Sequence, residues 1–300
     1  MKIKKLLNIG SLKLKKAGIK THQLDAEILM AHILKKSREY ILANMTSDIL
    51  QNIRVRFLKL VKKRGKRYPL AYILHHKEFY GLDFFVDKNV LVPRPETEML
   101  VENILKILKK NPEFSLLEIG TGSGCISISI AKNINNKIIA SDISLSALAV
   151  AKKNAKFHKI EKKIKFVKSN LLSSLKNKSF DIIVANLPYV GKYEIKDELV
   201  HEPKEALVGG AKPTDLIEKL FKQISKTIPE KTVRLTSGRK YNDLINKYPK
   251  IILLEIGDDQ GMVLKKLARK YLPEYSCKIL QDLAGKDRVL RLEFKSNERG

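Results

Sequence analysis

Two cysteines in 300 residues, Cys125 and Cys277, lie far apart in the chain and form no CxxC pair or Cys/His cluster. They exclude a disulfide framework and a zinc site, and fit a protein of the reducing cytoplasm with no metal site. No apolar run reaches the length of a membrane span. The basic opening MKIKKLLNIGSLKLKK has lysines interrupting any signal core, and its Ile3, Leu6 and Leu7 suit one face of a helix. Acidic residues are scarce: 32 Asp and Glu stand against 59 Lys and Arg, a formal net charge of +27. The excess is lysine spread along the chain, so no single segment reads as a nucleic-acid arm. Such a balance reflects either a lysine-rich proteome or steering toward an acidic protein or RNA partner. A Ser/His/Asp or Cys/His catalytic set is also missing, and the pair His75-His76 reads as surface.

What is present divides the chain in three. Residues 1–66 carry helical patterns only: Leu24, Ile28 and Ala31 repeat at helical spacing, as do Leu50, Ile53, Phe57 and Leu60. Ser47 or Asp48 is the expected cap of the later helix, and Gly65 its end amid a basic last turn. Residues 67–95 form a linker. Aromatic and β-branched residues from Ile73 to Val92, interrupted by Gly81, predict a β-hairpin, and Pro93-Arg94-Pro95-Glu96-Thr97-Glu98 leads into a helix over Met99–Leu108. In residues 96–300 strand and helix patterns alternate. SLLEIG, KIIASD, KIKFV, FDIIVAN and IILLEIG read as strands, with two more near Cys277–Leu280 and Arg288–Phe294. That order predicts a doubly wound α/β sheet closed by an antiparallel edge pair.

The first of these strands ends in Glu118-Ile119-Gly120-Thr121-Gly122-Ser123-Gly124. Alternate glycines let a backbone turn tightly and approach a ligand with no Cβ between. The third glycine of a dinucleotide fingerprint would fall at Cys125, and no Lys-Ser/Thr pair makes a phosphate loop. Acid-x-Gly-x-Gly-x-Gly instead resembles the S-adenosylmethionine sites of methyltransferases. The likeness implies that Gly120, Thr121, Gly122, Ser123 and Gly124 cradle the cofactor's methionine and ribose. Asp142, ending the second strand, would then accept the ribose hydroxyls. Leu171 after the third strand would offer the adenine an apolar wall.

The fourth strand runs into Asn186-Leu187-Pro188-Tyr189. This resembles the (Asn/Asp/Ser)-Pro-Pro-(Tyr/Phe) signature of methyltransferases acting on nitrogens conjugated to a planar π-system, with leucine where proline is usual. A delocalised lone pair makes such a nitrogen a poor nucleophile. Two hydrogen-bond acceptors aimed at its N–H groups hold it in line and stabilise developing positive charge. Asn186, which also borders the cofactor, would supply its side-chain oxygen and Leu187 its carbonyl. Pro188 presets the geometry and Tyr189 stacks on the amide or base.

Outside that core stand Asp25-Ala26-Glu27-Ile28-Leu29, Pro69-Leu70-Ala71-Tyr72-Ile73, Glu78-Phe79-Tyr80-Gly81-Leu82 and PRPETE. Further on come Glu202-Pro203, Gly209-Gly210, Leu254-Glu255-Ile256-Gly257 with Gln260-Gly261, and Asp282-Leu283-Ala284-Gly285. In this order they resemble the peptide chain release factor glutamine methyltransferases, the HemK/PrmC family, over nearly the whole chain. The resemblance implies a class I methyltransferase sheet behind a helical substrate-binding domain. It also implies the reaction: methylation, from S-adenosylmethionine, of the Gly-Gly-Gln glutamine of class I release factors. It puts PRPETE beside the active site and leaves no room for a presequence. A cytoplasmic monomer with no membrane contact and no stable nucleic-acid binding is the expectation. The segment from about 228 to 250 is longer than the family usually has. Two other readings stay open: an adenine-N6 methyltransferase of RNA or DNA, drawing on Asn-Leu-Pro-Tyr and the positive charge, and a non-catalytic RNA- or ribosome-binding protein on the same fold.

Overall fold

The computed structural model describes residues 1–175, 178–191, 199–226 and 248–295. Most of the long segment at 228–250 therefore lies outside the described residues. The chain forms two compact units, one of Met1–His76 with a short piece ending at His201, the other beginning at Lys77 and resuming at Glu202.

The first unit is helical: α1 (Ile3–Lys16), α2 (His22–Leu34), α3 (Arg38–Ala43), α4 (Gln51–Gly65) and α5 (Leu70–Leu74). Leu6 and Leu14 of α1, Ala26, Leu29 and Met30 of α2, and Phe57 and Val61 of α4 share one core. Gly10 gives the Phe57 ring of α4 room against α1, since a Cβ there would sit 2.6 Å from that ring. Two expectations change. Leu24 is exposed although Ala31 is buried, and the inward face of α2 also runs through Ala26, Leu29, Met30 and Ile33. Asp48 does not cap α4, which starts after Leu50 with no side-chain cap. Its carboxylate instead faces the terminal amine of Met1 and the Lys2 ammonium, each at 3.4 Å. Gly65 does end α4, in a last turn of Lys62, Lys63 and Arg64. Cations there oppose the negative end of the helix dipole.

The second unit opens with a short hairpin, β1 (Lys77–Phe79) and β2 (Leu82–Phe84). It is smaller than the aromatic texture suggested, because Ile73 belongs to α5 and the chain from Phe85 to Arg94 leaves the ladder. Tyr80 and Gly81 turn it with φ of +52° and +68°, the paired left-handed conformation that tight hairpins use. A 3₁₀ turn, Pro95–Thr97, leads into α6 (Glu98–Lys110).

Then follow β3 (Leu116–Ile119), α7 (Cys125–Asn133), β4 (Ile138–Asp142), α8 (Leu145–Phe157), β5 (Ile164–Lys168) and β6 (Ile182–Ala185). After them come β7 (Val190–Gly191), α9 (Lys204–Leu207), β8 (Val208–Gly210), α10 (Asp215–Ser225) and β9 (Ile251–Glu255). The chain closes with α11 (Gly261–Tyr271), β10 (Tyr275–Gln281) and β11 (Asp287–Phe294). Seven strands make one sheet in the order β10-β11-β9-β6-β3-β4-β5, parallel from β9 to β5. The expected antiparallel pair is β10 with β11, and β11 joins the sheet against β9.

All four residues of β3 and all four of β6 are buried, as strands covered on both faces must be. Leu117, Ile119, Ile183, Ile252 and Leu254 pack under Leu220 and Phe221 of α10 and Leu264 of α11. From β3 the chain winds outward through β4 and β5, then returns to the opposite side of β3 with β6. The order therefore reverses between β3 and β6, and a crevice opens at the carboxyl ends of strands beside such a reversal. Among the described residues no helix is long and apolar enough to cross a membrane, and no three His, Cys, Asp or Glu gather as metal ligands.

Candidate active site

At the reversal lies a cavity of about 660 Å³, bordered by Gly120 to Ser123, Asp142, Leu171 and Asn186 to Pro188. That volume is in the usual range for small-molecule sites. The structure thus brings the residues expected from the glycine turn, the two strand ends and the fourth-strand motif to one place, with two exceptions. Gly124 and Tyr189 stand outside the lining.

Gly120, Gly122 and Gly124 have φ of +75°, +54° and +83°, so each turn position uses a conformation that side chains resist. Gly124 is also tight. A Cβ there would meet Ile128 at 2.9 Å and Ala151 at 3.2 Å, so it lets α7 pack on α8 rather than lining the cavity. The Gly122 N–H donates to Asp142 Oδ2 at 2.9 Å and the Ser144 N–H to Asp142 Oδ1 at 2.9 Å. Burial raises the Asp142 pKa, with those backbone donors opposing the rise. The Asp142 carboxylate borders the cavity, where it can accept from a ligand hydroxyl.

Glu118 sits beneath the turn. Its Oε2 accepts from Thr121 Oγ1 at 2.7 Å, from the Ser127 N–H at 3.2 Å and from the Ser127 hydroxyl, while its Oε1 is buried with no partner among the described residues. Burial pushes this carboxyl up to about 7.

Leu171 is buried at the cavity with φ of +52°. A left-handed leucine costs on the order of 1–2 kcal/mol. Ser169 secures it, donating its hydroxyl to the Leu171 carbonyl at 2.7 Å while accepting the Ser174 N–H at 3.1 Å.

The fourth-strand motif is held from several sides. Asn186 Nδ2 donates to Thr97 Oγ1 at 3.1 Å. Leu187 is 3% exposed and belongs to the sheet core, where it reaches the space a Cβ on Gly120 would contact at 3.4 Å. The departure from proline is thus occupied by a packed side chain. The Tyr189 hydroxyl donates to Glu255 Oε1 at 3.2 Å, and Gln260 Nε2 donates to the Tyr189 carbonyl at 2.9 Å. Burial raises the pKa of the buried Glu255, opposed by hydrogen bonds from Thr97 and Tyr189. Gly209 lies against the Pro188 and Pro213 carbonyls with no room for a Cβ. That contact explains the glycine at 209, while Gly210 has φ of +147° and lies against Asp215.

Several participants were given no individual role in the sequence reading, although the resemblance put PRPETE beside the active site. Pro93, Arg94 and Thr97 of the proline-flanked segment line the cavity. Arg94 Nη2 meets Glu202 Oε1 at 2.5 Å, and Glu202 Oε2 accepts the Val92 N–H at 3.0 Å. Asn154 of α8 donates to the Ser123 carbonyl at 2.8 Å and the Phe85 carbonyl at 3.0 Å, and accepts the Phe85 N–H at 2.8 Å. Thr97 and Glu255 lay within recognisable motifs, whereas Asn154 and Ser127 sit in ordinary helical sequence that gives no signal.

Comparison with known proteins gives the fold and the family. Residues 5–74 match the PrmC N-terminal domain and residues 95–214 the methyltransferase small domain. The catalytic domain of hMettl16 solved with a MAT2A 3'UTR hairpin shares the fold at a TM-score of 0.55 and 15% identity, covering 89% of this chain and 92% of that one. A release factor glutamine methyltransferase of Aquifex aeolicus is 33% identical, over 96% of this chain and 98% of its own length. One from Clostridium botulinum is 35% identical over 97% of this chain and 99% of its own. The sheet is that of a class I methyltransferase, and the chain belongs to the release factor glutamine methyltransferase family.

Proposed function

We propose that this enzyme methylates the side-chain amide nitrogen of the glutamine in the Gly-Gly-Gln motif of class I peptide chain release factors. One observation carries the reading: Asn186 and Leu187, at the end of β6, line the same cavity as the glycine turn and Asp142. An acceptor for a planar nitrogen and a cradle for a methyl donor thus share one space.

The residues fit S-adenosylmethionine. The positive-φ turn gives backbone approach, Asp142 offers carboxylate oxygens for ribose hydroxyls, Leu171 gives an apolar wall, and the unpartnered Glu118 oxygen leaves an acceptor below. When bound, the cofactor supplies an electrophilic methyl group on a sulfonium. The chain's own residues then do the rest. The Asn186 side-chain oxygen and the Leu187 carbonyl accept the two N–H groups of the glutamine amide, fix its plane and stabilise the positive charge that grows on nitrogen. Pro188 holds the loop, and Tyr189, anchored at hydroxyl and carbonyl, braces it from outside the cavity lining. The nitrogen releases its proton after it gains the methyl group, so no general base is needed first.

Residues 1–66 hold the release factor and 67–95 link that part to the catalytic residues 96–300. The protein works as a monomer in the cytoplasm. Purified release factor and ribosomal RNA, offered side by side with labelled cofactor, test the reading. Label enters the release factor and mass spectrometry places it on the glutamine of Gly-Gly-Gln. Label in RNA alone would instead mark an adenine methyltransferase, and absence of calorimetric cofactor binding a non-catalytic binder.

A further inference from the structure

Leu254-Glu255-Ile256-Gly257 with Gln260-Gly261 stands out in the sequence, yet none of these residues takes a direct part in the reaction. Gln260 is buried on the turn between β9 and α11. Strand β9 lies beside β6, with Leu254 paired to Ala185, so that turn abuts the loop carrying the fourth-strand motif. Resting on the function proposed above, we propose that Gln260 is a positioning residue, clamping Tyr189 so that the Leu187 carbonyl stays aimed at the substrate amide.

Backbone groups hold the clamp at both ends. Gln260 Oε1 accepts the Gly257 N–H at 3.1 Å, and Gln260 Nε2 donates to the Tyr189 carbonyl at 2.9 Å. A peptide N–H can only donate and a carbonyl can only accept, so the side-chain amide has one allowed orientation. The Gln260 N–H also donates to the Gly257 carbonyl at 3.1 Å. The turn closes so tightly that a Cβ on Gly257 would meet Gln260 Cδ at 3.0 Å. The other end of Tyr189 is tied too, its hydroxyl donating to the buried Glu255 at 3.2 Å.

Leucine at 187 makes this hold matter. Proline there would fix its own φ at about −65°, whereas leucine leaves that torsion free. Burial of the Leu187 side chain secures only the upstream end. Downstream, the Pro188 ring locks the torsion that follows the Leu187 carbonyl, so the Leu187–Pro188 peptide turns with whatever secures Pro188 and Tyr189. Gly209 packs against the Pro188 carbonyl, and Gln260 secures Tyr189. Neither Tyr189 nor Gln260 borders the cavity, so the clamp acts on the direction of the carbonyl and touches neither cofactor nor substrate. An acceptor misplaced by about 1 Å costs about 10²-fold in rate.

The test uses the full chain and two variants. Gln260→Glu, when ionised, keeps the shape but sets an oxygen against the Tyr189 carbonyl, and Gln260→Met removes donor and acceptor at similar length. Turnover on release factor is measured beside KM and calorimetric binding of S-adenosylmethionine. Both variants are expected to lower kcat about 10²-fold while KM and cofactor affinity hold. Leucine labelled with carbon-13 at its carbonyl and proline labelled with nitrogen-15 report two bonds, Leu187–Pro188 and Leu272–Pro273. The first is identified by its loss in Leu187→Ile. In cofactor-free protein each Gln260 variant moves the Leu187 signal and leaves the Leu272 signal in place. Wild-type kcat in a folded variant would overturn the proposal. So would a Leu187 signal that does not move, or cofactor binding lost in step with turnover. If the wild-type protein leaves release factor unmethylated, the functional reading fails on its own, and the carbonyl signals still decide whether Gln260 sets the direction of that group.

Discussion

Glu118 closes β3 with its carboxyl enclosed, and its ionisation has a thermodynamic consequence. Burial lifts it from 4.5 to about 7, with Asp142 adding a smaller push in the same direction and Ser127 and Thr121 opposing. Below about pH 4.5 the group is neutral in both states, so its contribution to stability is intact. As pH rises from 4.5 toward 7 the unfolded chain ionises first, and stability falls until both states are charged. The loss over that window is about 3 kcal/mol. Denaturant titration of cofactor-free protein should therefore show Glu118→Gln gaining on the wild type by that order between pH 5 and pH 8. A difference independent of pH would mean the acid is ionised in the folded protein throughout. Asn186 makes the complementary kinetic case. Asn186→Ala removes one aimed acceptor and should raise the barrier by about 3 kcal/mol, leaving calorimetric cofactor binding only modestly weaker. An unchanged turnover number would remove Asn186 from the reaction.

Asn154, one side chain on α8, ties two segments far apart in sequence. Its amide satisfies the Ser123 carbonyl in the glycine turn and both backbone groups of Phe85 just past the hairpin. Asn154→Ala removes three hydrogen bonds, which costs about 3 kcal/mol and loosens the turn that should carry the cofactor. A lower melting temperature together with weaker cofactor binding is expected, and unchanged affinity in calorimetry would confine Asn154 to a scaffold role. The contrast with the glycine turn shows what a sequence can disclose. Gly120, Gly122 and Gly124 advertise positive φ because few other residues accept it, and Asp142 advertises itself by closing a buried strand. The doubly wound sheet and its antiparallel edge pair followed from apolar runs in alternation with helices. Asn154 and Ser127 were silent because their meaning lies in contacts across 69 and 9 positions, where no local pattern records the partner. The inward face of α2 was only partly legible, with Ala31 buried and Leu24 exposed. Asp25 and Glu27 are buried there in pairs with Arg64 at 2.6 Å and Arg38 at 2.7 Å, so polarity did not mark the outer face.

Charge is distributed over the whole molecule less evenly than the scatter of lysines suggests. Residues 1–76 hold 18 Lys and Arg against 4 Asp and Glu, a net +14, while residues 77–300 hold 41 against 28, a net +13. Two of those four acids, Asp25 and Glu27, are buried in their ion pairs, so the helical unit shows solvent little beyond Glu39 and Asp48 to offset its cations. Exposed charges act through water over about 8 Å at physiological ionic strength, far enough to speed encounter with an acidic surface but not to alter chemistry in an enclosed cavity. Added salt should therefore raise KM for release factor several-fold, on the order expected for screened steering, with the calorimetric Kd for S-adenosylmethionine nearly constant. Lys59→Glu with Lys62→Glu, both on the exposed side of α4, should imitate high salt at low ionic strength and leave kcat untouched, since neither residue reaches the cavity lining. A KM indifferent to both salt and charge reversal would mean that the basic surface follows composition alone and that the substrate is held by shape.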